Sequence, residues 1–134
     1  MVEIKVEFKG NLSTELTHVD SGAKLITDAP KDNQGEGQSF SPTDMVAGAL
    51  VSCMLTIMAI YAKRTGIDLT GTKGSVIKEM SSSPRRIDKL SVSFQMPKRL
   101  SEAERKALEA AALTCPVHKS LHAEVQVPVK FEYV

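Results

Sequence analysis

Eighteen consecutive residues without a formal charge, Met45 to Ala62 (MVAGALVSCMLTIMAIYA), constrain this chain more than any other feature. The run reaches the lower edge of the length that spans a bilayer. It nevertheless carries Gly48, Ser52, Cys53 and Thr56, opens at a capped helix start and closes on Lys63-Arg64, so it reads as a helix buried inside a soluble fold. A helix that is apolar all round must be covered on every side. A chain of 134 residues has little material for that, so the run already asks for a second subunit.

The same length fits one domain over residues 1–134, large enough to bury about two-thirds of the surface its unfolded form exposes. Lys and Arg number 17 against 16 Asp and Glu, for a net charge of +1, and no basic run is longer than Arg85-Arg86. No electrostatic footprint for a nucleic acid or an anionic membrane is present. The N-terminal Met-Val-Glu-Ile-Lys-Val-Glu alternates like a strand and lacks the apolar core of a secretory signal, so a reducing cytoplasm is the expected compartment. Two cysteines are too few for a disulfide scaffold. Cys53 and Cys115 lie 62 positions apart, and His118 and His122, the one helical i, i+4 histidine pair, lack the HExxH pattern, so no metal is expected.

Val2, Ile4, Val6 and Phe8 alternate with Glu3, Lys5, Glu7 and Lys9, the period of a strand with one apolar face. Gly10-Asn11 offers a turn, Leu12 to Leu16 a returning strand, and Lys24 to Thr27 a third strand. Asp28 to Gln38 is a polar loop. Ser41 then caps the long helix, with Pro42 at its first position and Asp44 in its first turn, and Gly66 marks its end. Strand character follows in Ile67 to Ser81 and again from Ile87 to Met96, the two pairing through Ser81-Ser82-Ser83-Pro84. Ser101 and Glu104 predict a capping box for an amphipathic helix that ends just before Cys115. A helical turn from Pro116 to His122 precedes a last strand through Val125, Val127, Val129, Phe131 and Tyr133. The order predicts an α+β fold with mostly antiparallel pairing.

Taken alone, Cys53 reads as a small buried hydrophobe in the middle of the apolar helix. Cys115 is placed to head the short helix after it, where backbone N–H groups and the helix dipole lower a thiol pKa, with His118 three residues on to bond or add charge. Ser41, Thr43 and Asp44 have a sufficient reading as helix-entry chemistry.

The segment Ser41-Pro42-Thr43-Asp44-Met45-Val46-Ala47 leading into Val51-Ser52-Cys53-Met54, with a second cysteine in Thr114-Cys115-Pro116-Val117-His118, resembles the OsmC/Ohr family, and most of all its uncharacterised OsmC-like branch. The resemblance extends over essentially the whole chain. It implies antiparallel sheets wrapped around two long central helices in an intertwined homodimer. It also implies a thiol peroxidase that reduces small hydrophobic organic hydroperoxides in oxidative or osmotic stress, with no metal or organic cofactor and with an external dithiol as reductant. Carried over, Cys53 is the peroxidatic cysteine and Cys115 the resolving one, joined in turnover by a disulfide. An apolar pocket at the dimer interface, lined by residues such as Met54 or Met58, would take the substrate.

Hydroperoxide-reducing members of that family support the thiolate with an arginine from the N-terminal strands and a glutamate at the start of the long helix. No arginine precedes Arg64 here, and Thr43 stands at the glutamate position with Asp44 beside it, about 100° further round the helix. The cation's role then falls to Lys9, Lys24, His18 or His118, or to the partner subunit, which implies weaker activity or a different substrate. Two other readings stay open: a dimeric protein binding a fatty or aromatic ligand with redox-silent cysteines, and a transferase or redox sensor built on Cys115 and His118.

Overall fold

The computed structural model describes all 134 residues. They divide into two compact units, Met1–Val46 and Ala47–Val134.

The first unit is a three-stranded antiparallel sheet, β1 (Ile4–Gly10), β2 (Ser13–His18) and β3 (Lys24–Asp28), in the order β1-β2-β3. The first turn falls where the sequence predicts it. Gly10, Asn11 and Leu12 all take positive φ (87°, 51° and 64°), the conformation that glycine and asparagine tolerate best. Registers Val6↔Leu16 and Leu16↔Leu25 put Ile4, Val6, Phe8, Leu16 and Leu25 on one face. That face is open: Val6 is 62% exposed, Phe8 69% and Leu25 58%. The polar loop predicted after β3 holds one short 3-10 turn, Lys31–Asn33.

The long helix α1 (Pro42–Thr65) begins and ends as the sequence predicts, with Ser41 before it and Gly66 after it at φ 75°. Ser41 Oγ accepts from the Asp44 N–H at 3.1 Å and the Asp44 carboxylate accepts from the Ser41 N–H at 2.8 Å, a capping box with aspartate in the glutamate's place. In the second unit Ala47, Leu50, Val51, Met54, Met58 and Ala62 form one buried stripe at helical spacing. The opposite side, through Ala49, Ser52, Thr56 and Ile60, is exposed. By length and composition α1 meets the test for a membrane span, yet its buried stripe is that of a core helix. One copy buries a third of its apolar window.

That stripe lies in a core with the second sheet, β4 (Lys73–Ser81), β5 (Arg86–Met96) and β6 (Val129–Tyr133), in the order β4-β5-β6. Leu90, Val92, Phe94 and Met96 of β5 are fully buried or nearly so. Each such side chain contributes about 1.5–3 kcal/mol of transfer free energy. Gly74 on β4 is required by packing: a Cβ there would stand 2.6 Å from Val51 Cγ1 and 2.9 Å from Phe94 Cε1.

Two details differ from expectation. β6 runs parallel to β5, because α2 (Glu102–Ala112) and α3 (Pro116–Ser120) intervene and return the chain in the same direction. Its ladder also starts only at Val129. Pro128 has no N–H to donate, so the extended residues before it make a single bridge, Lys89↔Gln126. The capping box of α2 is present as predicted, Ser101 Oγ accepting from Glu104 N–H and Glu104 accepting from Ser101 N–H.

Candidate active site

Cys53 lies midway along α1, between the buried Leu50 and Met54, and is itself half-buried with a free thiol. Cys115 is also a free thiol and has no exposed surface. Its position follows from how α2 stops: Thr114 N–H and Cys115 N–H turn back to the carbonyls of Ala111 and Ala112, and Pro116 then opens α3 with Cys115 as its N-cap. Cys115 Sγ accepts a hydrogen bond from the His118 N–H at 3.4 Å and lies 4.0 Å from the Leu50 carbonyl oxygen, one helical turn before Cys53. The two thiols are interacting neighbours.

The sequence expectation of a lowered Cys115 pKa is corrected by this environment. Burial pushes the thiol up, and the Cys53 hydrogen bond and charge push it further; the N–H groups of His118 and Val117 act downward and are outweighed. No cation is among the groups acting on it. The helix N-terminus does what was expected of it, but a site with no exposed surface sets the balance. Because an anion at Cys53 raises the cost of one at Cys115, the pair holds one negative charge more readily than two.

The remaining predicted residues are engaged as follows. His118 contributes its backbone N–H to Cys115, and its ring has no hydrogen bond. Asp44 and Thr43 are in the first turn of α1, Asp44 in the capping box and Thr43 Oγ1 3.3 Å from Ser41 Oγ. Lys9 pairs with Glu7 at 3.6 Å, Lys24 with Glu15 at 2.9 Å, and His18 Nδ1 is 2.7 Å from Ser21 Oγ. Met54 and Met58, expected to line a pocket, are fully buried in the core. No cluster of three or more His, Cys, Asp or Glu side chains forms a metal site.

The groove that does exist was missed in the sequence. It lies between α1 and α2 with a volume of about 380 Å³, walled by Ile57, Ile60, Tyr61 and Arg64 on one side. Ala107, Ala110, Ala111 and Thr114 form the other. The i, i+3, i+4, i+7 spacing of those four small residues was the available signal.

The family profile described as OsmC-like protein matches residues 35–130. No curated protein matches the chain. Among solved structures, a protein from Psychrobacter arcticus 273-4, described in terms of osmotic stress induction and detoxification response, is 42% identical with TM-score 0.93, over 98% of this chain and 96% of that one. An organic hydroperoxide resistance protein OsmC from Legionella pneumophila is 22% identical, with TM-score 0.74 over 98% and 96% of the two chains. The organic hydroperoxide resistance protein OhrB of Bacillus subtilis is 18% identical, with TM-score 0.69 over 98% of each chain.

Proposed function

The chain belongs to the OsmC-like protein family, and from that premise we propose that it is a two-cysteine thiol peroxidase acting on organic hydroperoxides. The observation that carries the reading is the meeting of Cys53 and Cys115, both reduced, one half-accessible and the other sealed. The names of the Legionella and Bacillus proteins, which share the fold, point the same way.

In this reading the Cys53 thiolate attacks the outer oxygen of the hydroperoxide. The O–O bond breaks, the organic oxygen leaves as an alcohol after taking a proton, and Cys53 becomes a sulfenic acid. Loss of the Cys53 charge removes one of the causes that held Cys115 protonated. The Cys115 sulfur attacks the sulfenic sulfur, water departs, and a disulfide remains. A dithiol then returns both cysteines to thiols and is itself oxidised to a disulfide. No arginine precedes Arg64 in the chain to support the peroxidatic sulfur from the N-terminal strands, so modest turnover is expected.

The working unit in this proposal is a cytoplasmic homodimer. What supports the dimer is the apolar surface one copy leaves open: the face of β1 with Val6 and Phe8, and the side of α1 with Ile60, 56% exposed. The ligand-binding reading keeps one specific support, the α1–α2 groove. An assay of cumene hydroperoxide consumption by the reduced protein with a dithiol reductant separates the two. Consumption above the protein-free rate is expected, and its absence in folded protein overturns the peroxidase reading.

A further inference from the structure

The geometry points to Pro116 as a positioning residue for the cysteine pair: it holds the Cys115 backbone in the extended conformation that turns the buried sulfur onto α1 beside Cys53. Cys115 has φ −49° and ψ 121° between two helical segments. A residue that precedes proline is driven out of the helical region by the ring's Cδ, so this extended ψ is what Pro116 dictates. Pro116 also lacks the N–H that a continuous helix would give to the Ala112 carbonyl, and its ring would collide with that carbonyl. The Cys115 N–H takes the Ala112 carbonyl instead, at 3.3 Å, and α3 starts afresh with Cys115 as its cap.

The consequence falls on the sulfur. As the cap of α3, Cys115 Sγ receives the His118 N–H at 3.4 Å and rests 4.0 Å from the Leu50 carbonyl oxygen, with no exposed surface. Pro116 itself is exposed, so its effect on the site passes through the backbone. Nothing else between α2 and α3 stops a helix: Leu113 still has φ −75° and ψ −5°, and neither glycine nor a second proline occurs from Leu113 to Ser120. With alanine at 116, α2 and α3 can run together from Glu102 to Ser120. The His118 N–H then goes to the Thr114 carbonyl, four residues back, and the direction of the Cys115 side chain follows the register of α2 at 100° per residue. The sulfur loses its donor and its aim together.

The inference rests on the peroxidase reading only for the use made of the disulfide; the positioning itself is tested without a peroxide. Reduced full-length protein is equilibrated with mixtures of reduced and oxidised dithiothreitol. The two cysteine thiols give up two protons and two electrons, the cyclic disulfide of the reagent takes them and opens to the dithiol, and the equilibrium yields the effective concentration of one cysteine at the other. A loss of stability common to the reduced and oxidised protein cancels from that equilibrium, so a merely structural role does not move it. Pro116→Ala is expected to lower the effective concentration tenfold or more. Pro116→Gly, which frees Cys115 without promoting a continuous helix, is expected to lower it less. An unchanged value in Pro116→Ala, or in Pro116→Gly should the alanine variant not fold, would overturn the assignment, as would a wild type that forms no disulfide between the two cysteines. With cumene hydroperoxide, Pro116→Ala is expected to lose the Cys53 thiol as fast as wild type and to carry more of it on to sulfinic acid. If the dithiothreitol result holds while no hydroperoxide is consumed, the positioning role stands and the peroxidase reading falls.

Discussion

Replacing Cys53 with serine removes dithiol-dependent consumption of organic hydroperoxide, with a loss on the order of a thousandfold or more, because no other group takes over as nucleophile. Cys115 is the only other thiol, and it is a poor substitute: it has no exposed surface, and burial holds its proton on. Serine preserves the shape of the α1 turn, so a folded variant with near-background turnover is the expected result. The same variant carries a second signature. Serine takes away the Cys53 charge, one of the two contributions from that residue that raise the Cys115 pKa, so the Cys115 titration shifts to lower pH. Burial remains the largest cause acting upward. Ultraviolet thiolate absorbance followed against pH in Cys53→Ser reads this directly. Undiminished peroxide consumption in the variant would sink the assignment of Cys53.

Phe94→Ala costs about 3–5 kcal/mol of stability, the range for emptying a fully buried aromatic site. The ring has no exposed surface, stacks on Phe131 with centroids 5.4 Å apart, and lies against the Cα of Gly74 and the core stripe of α1 through Val51. Three elements meet at it. For a chain of this size with a total stability of about 5–15 kcal/mol, the melting temperature falls by about 10–20 °C. Denaturant unfolding followed by circular dichroism measures it. A loss below about 1 kcal/mol would mean that the core repacks around the site and that Phe94 does not organise it.

Much of this was legible in the residues. Strict alternation gave β1 and the core face of β5, and Ser41-Pro42 with Gly66 bounded α1, since turn and cap chemistry is local. The direction of β6 was not legible, because parallel pairing depends on where the intervening helices return the chain. Nor was the true start of β6, since Val125 and Val127 have the alternation of a strand but Pro128 interrupts the ladder. At the site, the two cysteines were found by motif and the α3 N-terminus by Pro116. The sign of the Cys115 shift was not, because helix-end effects are readable from sequence whereas desolvation and a neighbouring thiol come only with packing. Met54 and Met58 illustrate the same limit: on an apolar helix the sequence does not say which side is core, and their side is. The groove between α1 and α2 needed two helices, far apart in sequence, to be brought together.

The central claim is that Cys53 and Cys115 act as one redox pair within a chain. Fully reduced protein treated with one equivalent of cumene hydroperoxide, then alkylated and mapped by mass spectrometry without reductant, tests it most directly. The account predicts a loss of two hydrogens from the intact mass and a Cys53–Cys115 linked peptide from a single chain. Both thiols remaining alkylatable, or Cys53 proceeding to sulfinic acid with Cys115 still free, would contradict it.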